Sequence, residues 1–243
     1  MGVLPRSTEG EESKILVDIG CGLGYDIFLI RSIFEEESLN YKYLGMEGHP
    51  RHLNLCKVRK GYNNAGNVDF MESNIAGPIP LNNNSVDIIY CSEVIEHMPS
   101  PESFLSEIRR VLKSNGYLFF TTPNEPNVFQ KPYWLSSHRQ KLIKRIEEER
   151  NNPEICIVNN KKVPVYGHIS CKAVSEWENI LDEFGFRLVD FRRGAIVYGG
   201  SKFHDTPIVL GLRMLLEAFL DAMPRSVTRR FSLQVIGLYQ IVK

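Results

Sequence analysis

Three glycines at alternate positions, Gly20, Gly22 and Gly24, follow a short apolar run at residues 14–19. Glycines at this spacing allow a ligand to lie directly on the backbone, because side chains there would block its approach. The dinucleotide-binding fingerprint G-x-G-x-x-G would need glycine at position 25, where this chain has Tyr25. The loop therefore predicts a ligand site, and Tyr25 disfavours a nicotinamide dinucleotide as the ligand.

Polar side chains at the ends of the neighbouring apolar runs suit a nucleoside that carries an amino acid. Asp18, directly before the loop, can meet an ammonium group directly or through water. Glu47, beside Gly48 at the tip of the second run, can accept both ribose hydroxyls, although an ordinary surface acid is the alternative. Asn74 can accept from an adenine amino group through its oxygen, with Ile75 packing on the ring. These features favour S-adenosylmethionine, which has an amino-acid end, a ribose and a sulfonium but no phosphate.

Candidate groups for the transfer step are His97, His168 and Tyr166. Methyl transfer from a sulfonium depends mostly on alignment, and a base is needed only when the nucleophile holds a proton, as a hydroxyl does. Histidine titrates near neutral pH and suits that role, but His97 could equally cap a neighbouring helix. No metal site is expected, because Glu96, His97 and a distant His49 do not make a convincing cluster.

The elements that must position these residues alternate along the first half of the chain. Strands are predicted at 14–19, 41–46, 67–71, 86–91 and 117–121, with helices at 25–37, 50–60 and 101–112, the last closed by Asn115 and a left-handed Gly116. Right-handed crossovers then give a parallel sheet with helices on both faces. Beyond it, a helix at 175–184 and an antiparallel hairpin of strands at 186–191 and 231–242 complete the pattern. The expected fold class is α/β, a Rossmann-like three-layer sandwich with a mostly parallel seven-stranded sheet ending in an antiparallel edge strand.

The pattern is interrupted at about 125–167, a segment rich in Asn, Pro and Lys around one charged helix near 135–150. We expect a single domain over 1–243, with this segment as a lid-like insertion over the carboxyl edge of the sheet. Phe129, Tyr133 and Trp134 could cover an apolar acceptor or simply pack the lid on the body.

Several runs resemble the superfamily of class I S-adenosylmethionine-dependent methyltransferases, in particular those of the ubiquinone-biosynthesis type. These runs are VDIGCGLG, SVDIIYCSEVIEHM at 85–98 and EIRRVLKSNGYLFFTTPN at 107–124. The resemblance implies a cofactor loop formed by Asp18, Gly20, Cys21, Gly22 and Gly24. It also implies that Ser92 and Glu93 line the methionine end of the cofactor, and that His97 of the E-V-x-E-H pattern faces the acceptor.

The chain departs from that family in two places. Only about 14 polar residues precede the first strand, where family members usually carry one or two helices over the cofactor. The segment after the fifth strand is TTPN rather than the NPPY of nucleic-acid amino-methyltransferases, which disfavours adenine or cytosine as the acceptor.

Charge and composition narrow the partners. Lys+Arg and Asp+Glu both number 29, so neither nucleic acid nor an anionic membrane is expected as the main partner. Five cysteines without C-x-x-C spacing indicate reduced thiols in a cytoplasmic protein, and no apolar run is long enough for stable membrane insertion. The amphipathic stretch at 207–223 leans towards an apolar or lipid-linked acceptor. The oligomeric state is left open.

The leading hypothesis is therefore an S-adenosylmethionine-dependent methyltransferase acting on an O or N atom of a small-molecule acceptor. The alternative is a non-catalytic S-adenosylmethionine-binding scaffold protein of the same fold. A nicotinamide-dependent oxidoreductase is a third and weaker hypothesis.

Overall fold

The computed structural model describes residues 13–124, 136–192 and 234–243, together with positions 215, 218, 219, 222–224 and 232. Phe129, Tyr133 and Trp134, and most of the amphipathic stretch at 207–223, lie outside the described residues. In chain order the elements are β1 (Lys14–Ile19), α1 (Tyr25–Glu36), β2 (Tyr41–Glu47), α2 (Pro50–Tyr62), β3 (Val68–Glu72), β4 (Val86–Ser92), α3 (Pro101–Val111), β5 (Leu112–Pro123), α4 (Ser136–Asn151), β6 (Glu154–Val158), β7 (Lys161–Val165), α5 (Val174–Glu183), β8 (Phe186–Phe191) and β9 (Gln234–Ile241).

Seven strands form one sheet in the order β3-β2-β1-β4-β5-β9-β8. The first five strands are parallel, and β9 runs antiparallel to both of its neighbours, β5 and β8. The α/β class, the mostly parallel sheet and the antiparallel edge hairpin are thus confirmed. The strand order reverses between β1 and β4, so the loops after these strands diverge and leave a crevice at their carboxyl ends.

The two faces of the sheet carry separate cores. On one face α3 and α5 cover the sheet, and the fully buried Trp177 meets Phe120 edge-on with ring centroids 5.9 Å apart. On the other face α1 buries Ile27 and Phe34, and Phe34 contacts Tyr41 of β2. The strands between the two layers are therefore rigid, and their carboxyl ends are a fixed platform for side chains.

The end of α3 differs from the prediction. The helix ends at Val111 and β5 begins at once with Leu112, five residues earlier than expected. The left-handed residue is Asn115, with φ of 64°, rather than Gly116. Gly116 is needed for another reason, because a Cβ there would lie 3.1 Å from the backbone oxygen of Asp87 in β4.

The insertion contains the predicted charged helix, α4, and a hairpin that the sequence analysis missed. Strands β6 and β7 pair antiparallel around Asn159 and Asn160, whose φ angles of 48° and 60° are left-handed. Asn tolerates this conformation better than most residues, and two such residues make the favoured two-residue hairpin turn. The pair Asn159-Asn160 was the feature of the sequence that could have predicted this turn. The continuous apolar run at 155–158 hid the strand alternation.

Across the described ranges, every helix is too short or too polar to cross a bilayer.

Candidate active site

A cavity of about 410 Å³ opens at the carboxyl ends of β1 to β4, in the crevice created by the reversal of strand order. This volume lies within the usual range for small-molecule sites. Its walls come from the loops after four strands and from the β6–β7 hairpin. The lining residues are Gly20, Gly22, Glu47, Gly48, His49, His52, Ser73, Asn74, Ile75, Ala76, Glu93, Val94, His97, Met98, Cys156, Val158, Val163, Pro164, Val165 and Tyr166.

The glycine loop forms the floor of this cavity. Gly20, Gly22 and Gly24 all have positive φ, at 75°, 52° and 73°, so each adopts a conformation that favours glycine. A Cβ on Gly20 would lie 2.6 Å from Val94 Cγ2, and one on Gly24 would lie 2.9 Å from Cys56 Sγ. A Cβ on Gly22 would meet no atom of the described residues within 4 Å. Gly22 is thus the glycine whose missing side chain leaves space open to the cavity.

Glu47 ties the end of β2 to the glycine loop. Its Oε2 accepts a hydrogen bond from the Gly22 amide at 2.8 Å, and its Oε1 accepts one from the His49 amide at 2.6 Å. The side chain is only 12% exposed and lines the cavity. A carboxylate has about four acceptor sites, so two remain for the ribose hydroxyls that the sequence analysis assigned to it.

Asn74 and Ile75 lie after β3, across the cavity from the loop. The Asn74 Oδ1 accepts from the Ala76 amide at 3.2 Å, a local turn that fixes the side chain. Both residues line the cavity, as does Ser73. That Asn74 and Ile75 bind the adenine ring stays a prediction.

Asp18 lies beneath the loop and does not line the cavity. It is 2% exposed, and its Oδ2 has no hydrogen-bond partner within the described ranges. Burial, followed by the nearby Asp26, raises the pKa of Asp18 well above its usual value. Asp18 thus lies under the loop rather than in the cavity lining, and its contact with a ligand ammonium group, directly or through water, stays a prediction.

Cys21 and Gly24 likewise lie below the cavity wall. Cys21 is buried, and a hydrogen bond with Cys56 and then burial raise the pKa of its thiol. The Cys56 thiol donates to the Gly22 carbonyl at 3.3 Å. Cys56 thus supports the loop from α2, and neither thiol lines the cavity.

Glu93 is held in a strained conformation at the end of β4. Its φ of 55° is left-handed, which costs a residue with a Cβ about 1–2 kcal/mol. The strain is held by hydrogen bonds to Thr121, one from the Glu93 amide to the Thr121 carbonyl at 3.0 Å and one from the Thr121 hydroxyl to Oε1 at 2.9 Å. Ser92 lies behind it, bonded to the same hydroxyl at 2.8 Å, and does not line the cavity. Strain held in this way at a cavity wall is typical of functional sites.

A cluster of Glu96, His97 and His168 lies at the same wall. One ligand atom from each side chain falls within 4.8 Å of the others, so this set could hold a metal ion. The rings of His97 and His168 meet edge-on with centroids 5.0 Å apart. His49, which the sequence analysis considered with Glu96 and His97, stacks on His52 instead.

Glu96 is a buried carboxyl group in this cluster, with 1% of the residue exposed. Its Oε2 accepts from the Thr122 hydroxyl at 3.0 Å, while Oε1 has no hydrogen-bond partner among the described residues. Burial raises the pKa of Glu96 to about 7, and the nearby charge of Glu93 adds to the shift. The cluster therefore contains a carboxyl group that is costly to ionise without a cation beside it.

The structure brings together most of the predicted site residues. Of these, Gly20, Gly22, Glu47, Gly48, Asn74, Ile75, Glu93, His97 and Tyr166 line the cavity, and His168 joins His97 beside it. Asp18, Cys21, Gly24 and Ser92 lie behind the wall. The hairpin residues Cys156, Val158, Val163, Pro164 and Val165 were missed, as were His49, His52, Ser73, Ala76, Val94 and Met98.

A second cavity, of about 380 Å³, lies on the face of the sheet beside α1. Its walls are mainly apolar, with Ile30, Phe34, Ile88 and Leu238 among them. Its polar lining consists of Tyr90 and the ion pair of Asp190 with Arg192, and it contains no residue of the glycine loop. The cavity at the glycine loop is therefore the candidate active site.

Comparison with known proteins agrees with this geometry. A family model described as a methyltransferase domain matches residues 11–193. A ubiquinone biosynthesis O-methyltransferase of Vibrio atlanticus is 26% identical over 149 residues, 61% of this chain and 59% of that protein. A probable S-adenosylmethionine-dependent methyltransferase of Mycobacterium tuberculosis is 31% identical over 121 residues, 49% of this chain and 38% of that one. The chain thus spans about half the length of the curated relatives it matches.

Solved structures share the fold. The structure of an S-adenosylmethionine-dependent methyltransferase from Aquifex aeolicus superposes with a TM-score of 0.54 at 15% identity, over 96% of this chain and 84% of that one. A [4+2]-cyclase superposes with a TM-score of 0.57 at 14% identity, over 97% of this chain and 78% of that one.

The fold and the glycine-loop cavity define a Rossmann-like domain of the methyltransferase kind. The chain belongs to the methyltransferase domain family, because the family model covers well over half of it. The resemblance inferred from the sequence motifs is therefore confirmed.

Proposed function

We propose that this protein transfers a methyl group from S-adenosylmethionine to an oxygen atom of a small-molecule acceptor. S-adenosylmethionine is the cofactor implied by the family. The observation that carries the proposal is the single cavity that joins the nucleoside-type residues Glu47 and Asn74 to the polar wall at Glu93 and His97. Cofactor and acceptor would thus share one cavity, as an in-line displacement requires.

Each half of the cavity has its own task. At one end, Glu47 would accept the ribose hydroxyls and Gly22 would leave room for the cofactor on the loop backbone. The bound cofactor supplies an electrophilic methyl group on a sulfonium. Transfer would break the C–S bond and form a C–O bond, release S-adenosylhomocysteine, and pass the hydroxyl proton to His97 Nε2.

The polar wall favours a hydroxyl acceptor over an amine. A neutral amine already has a free lone pair, whereas a hydroxyl must lose a proton during transfer. Here His97 Nδ1 lies 2.9 Å from the Tyr166 carbonyl, which can only accept, so Nδ1 carries the hydrogen. The Nε2 atom of neutral His97 is therefore a free base. Tyr166 would position this histidine through its backbone, and His168 would support it through the edge-on ring contact.

The insertion would close the cavity from the outside. Val158, Val163 and Val165 of the hairpin line the cavity with apolar surface. The hairpin is anchored to β3 through the Asn159 amide, which donates to Glu72 Oε1 at 2.6 Å. An acceptor that pairs one hydroxyl with an apolar ring or chain fits this combination of walls. The equal counts of acidic and basic residues, 29 of each, give no support to nucleic acid as the acceptor.

Calorimetry followed by a transfer assay tests the proposal. Purified protein is titrated with S-adenosylmethionine, S-adenosylhomocysteine and NAD, and then incubated with labelled S-adenosylmethionine and a panel of phenols, catechols and aliphatic alcohols, with matched amines as controls. We expect binding of both sulfur ligands, none of NAD, and label transferred to hydroxyl compounds. Binding without transfer to any acceptor would favour the scaffold alternative, and absence of binding would refute the proposal.

A further inference from the structure

We propose that Glu96, His97 and His168 form a site for a divalent transition-metal ion, with open coordination positions that face the cavity. Two imidazoles and one carboxylate are a common ligand set for Zn²⁺ and related first-row ions. The proposal departs from the sequence-based expectation of no metal, because His168 lies 71 positions from His97 and only the fold brings them together (168 − 97).

The spacing of the ligand atoms suits such an ion after a small adjustment. They lie within 4.8 Å of one another. Ligands roughly 2.0–2.2 Å from a tetrahedral zinc ion stand roughly 3.4 Å apart. Binding of the ion therefore requires the three side chains to rotate towards one another.

The hydrogen bonding of His97 presents the correct atom to a metal. Because Nδ1 donates to the Tyr166 carbonyl, the lone pair of the neutral ring is on Nε2. This atom points to the cluster and lies 3.9 Å from Glu96 Oε1. Metal-binding histidines almost always donate their other ring nitrogen to a carbonyl or carboxylate in this way.

Glu96 supplies the strongest sign of a missing cation. The residue is 1% exposed, and Oε1 has no hydrogen-bond partner among the described residues. The other oxygen is held by Thr122, so the carboxylate is fixed with its free oxygen towards His97. Leaving a buried carboxylate oxygen unsatisfied is costly, and a bound cation removes that cost.

The backbone holds the third ligand in place. The Glu96 carbonyl accepts hydrogen bonds from the amides of both Ile169 and Ser170 at 2.9 Å. The Ser170 hydroxyl also donates to the Met98 carbonyl at 2.7 Å. These bonds fix the residues directly after His168 against the segment that carries Glu96 and His97, so the three ligands are organised before any ion arrives.

The donor set also indicates the kind of ion and its use. Mg²⁺ and Ca²⁺ prefer oxygen ligands, whereas Zn²⁺, Mn²⁺, Fe²⁺ and Co²⁺ accept imidazole nitrogen. With three protein ligands, positions remain for an acceptor hydroxyl. A metal-bound hydroxyl loses its proton more readily, in this case to water, so the ion would replace His97 Nε2 as the activating group. This role rests on the proposed function, but binding of the ion does not.

The first test is calorimetric titration of chelator-stripped full-length protein with Zn²⁺, Mn²⁺ and Mg²⁺. We expect one tight site for Zn²⁺, weaker Mn²⁺ binding at the same site, and little or no binding of Mg²⁺. Loss of an outer-shell partner weakens metal binding by roughly 10- to 100-fold, and loss of a direct ligand should cost at least as much. We therefore expect His168→Ala and Glu96→Gln each to weaken Zn²⁺ binding by at least this factor. Glu96→Gln keeps the size of the side chain and an acceptor for Thr122, so it tests the charge in case His168→Ala folds poorly.

His52→Ala is the matched control, because it removes an imidazole from the same cavity. His52 stacks on His49 with ring centroids 4.5 Å apart, and its Nδ1 lies 3.9 Å from Glu47, so this pair is the competing place for an ion. We expect His52→Ala to bind Zn²⁺ like the unmodified protein. Zn²⁺ binding that is lost in His52→Ala and kept in His168→Ala would overturn the proposal, as would absence of binding in the unmodified protein.

Binding of S-adenosylhomocysteine, measured on the same samples, separates this proposal from the proposed function. Zn²⁺ bound at the cluster without binding of S-adenosylhomocysteine supports the metal site and refutes the transfer function. Turnover that is unchanged after the metal is stripped refutes the role of the ion in activating the acceptor.

Discussion

Substituting Gly22 with alanine should weaken cofactor binding at least about tenfold while leaving the domain folded. The φ of 52° at this position is left-handed, and adopting it costs alanine about 1–2 kcal/mol. The new Cβ would meet no atom of the described residues within 4 Å, so no packing penalty is added. For a chain of this size about 1 kcal/mol corresponds to 2–4 °C, which gives a Tm lower by about 2–8 °C.

Gly20→Ala provides the contrast within the same loop. Its φ of 75° carries the same backbone cost, and its Cβ would lie 2.6 Å from Val94 Cγ2. Valine has little rotamer freedom, so this overlap adds about 1–3 kcal/mol of overpacking. The expected loss is about 2–5 kcal/mol in total, with a correspondingly larger fall in Tm. Gly61→Ala, within α2 and with no described atom near its Cβ, should not lower the Tm.

The assay combines thermal unfolding with calorimetric titration of S-adenosylhomocysteine. We expect Gly22→Ala to lose at least about tenfold in affinity, or 1.4 kcal/mol, because its Cβ occupies space that the ligand needs. Gly61→Ala should bind with unchanged affinity. A folded Gly22→Ala protein that binds as tightly as the unmodified chain would refute the claim that the ligand lies on this loop. If Gly22→Ala loses more stability than Gly20→Ala, the packing argument is wrong.

Three further predictions concern side chains. Glu47→Gln should weaken S-adenosylhomocysteine binding by about 1.5–3 kcal/mol, the value of a hydrogen bond to a charged group, whereas Glu72→Gln at the paired position on β3 should bind normally in the same titration. Arg110→Ala should lower the free energy of unfolding by about 1–3 kcal/mol, since Arg110 binds Glu107 and the carbonyls of the loop before β4. The hydrogen bond from Arg110 lowers the pKa of Glu107 below its ordinary value of 4.5. The stabilisation by this pair is therefore present above pH 4.5 and is lost as the pH falls below it. Denaturant titrations of the unmodified protein that show no such loss would contradict the assignment. His97→Ala should keep cofactor affinity and slow transfer to a hydroxyl acceptor by about 10²–10⁴-fold, and unchanged turnover would remove His97 from the mechanism.

The sheet and the nucleoside end of the cavity followed from local sequence patterns. The strand at 14–19, the glycine loop and Glu47 were found because parallel strands bring their carboxyl ends to one edge whatever their exact packing. The glycines were informative because a left-handed backbone conformation restricts the residue type at the position that adopts it. Boundaries that depend on packing were less accurate. At 112–116 the contact of Gly116 with Asp87 extends β5 where the sequence indicated a helix end.

Asp18 shows that a sequence pattern can find a residue without giving its burial. Its place before the loop is local information, but whether its carboxylate reaches the ligand depends on what covers it. In the structure it lies beneath the loop, 2% exposed. The hairpin was missed because the apolar run at 155–158 hid the strand alternation, and the cavity wall that these residues form exists only in the folded chain.

By itself the sequence determined the α/β class, the position of the glycine loop and the membership of the methyltransferase domain family. Each of these depends on residues close together in the chain, where backbone conformation and strand ends restrict residue type directly. Only the tertiary structure decided that His168 joins Glu96 and His97, and that Val158 packs beside Gly48. The physical reason is that these contacts join segments that are distant in the chain. They depend on hydrogen bonds such as those from the Ile169 and Ser170 amides to the Glu96 carbonyl, and such bonds produce no periodic pattern in the sequence.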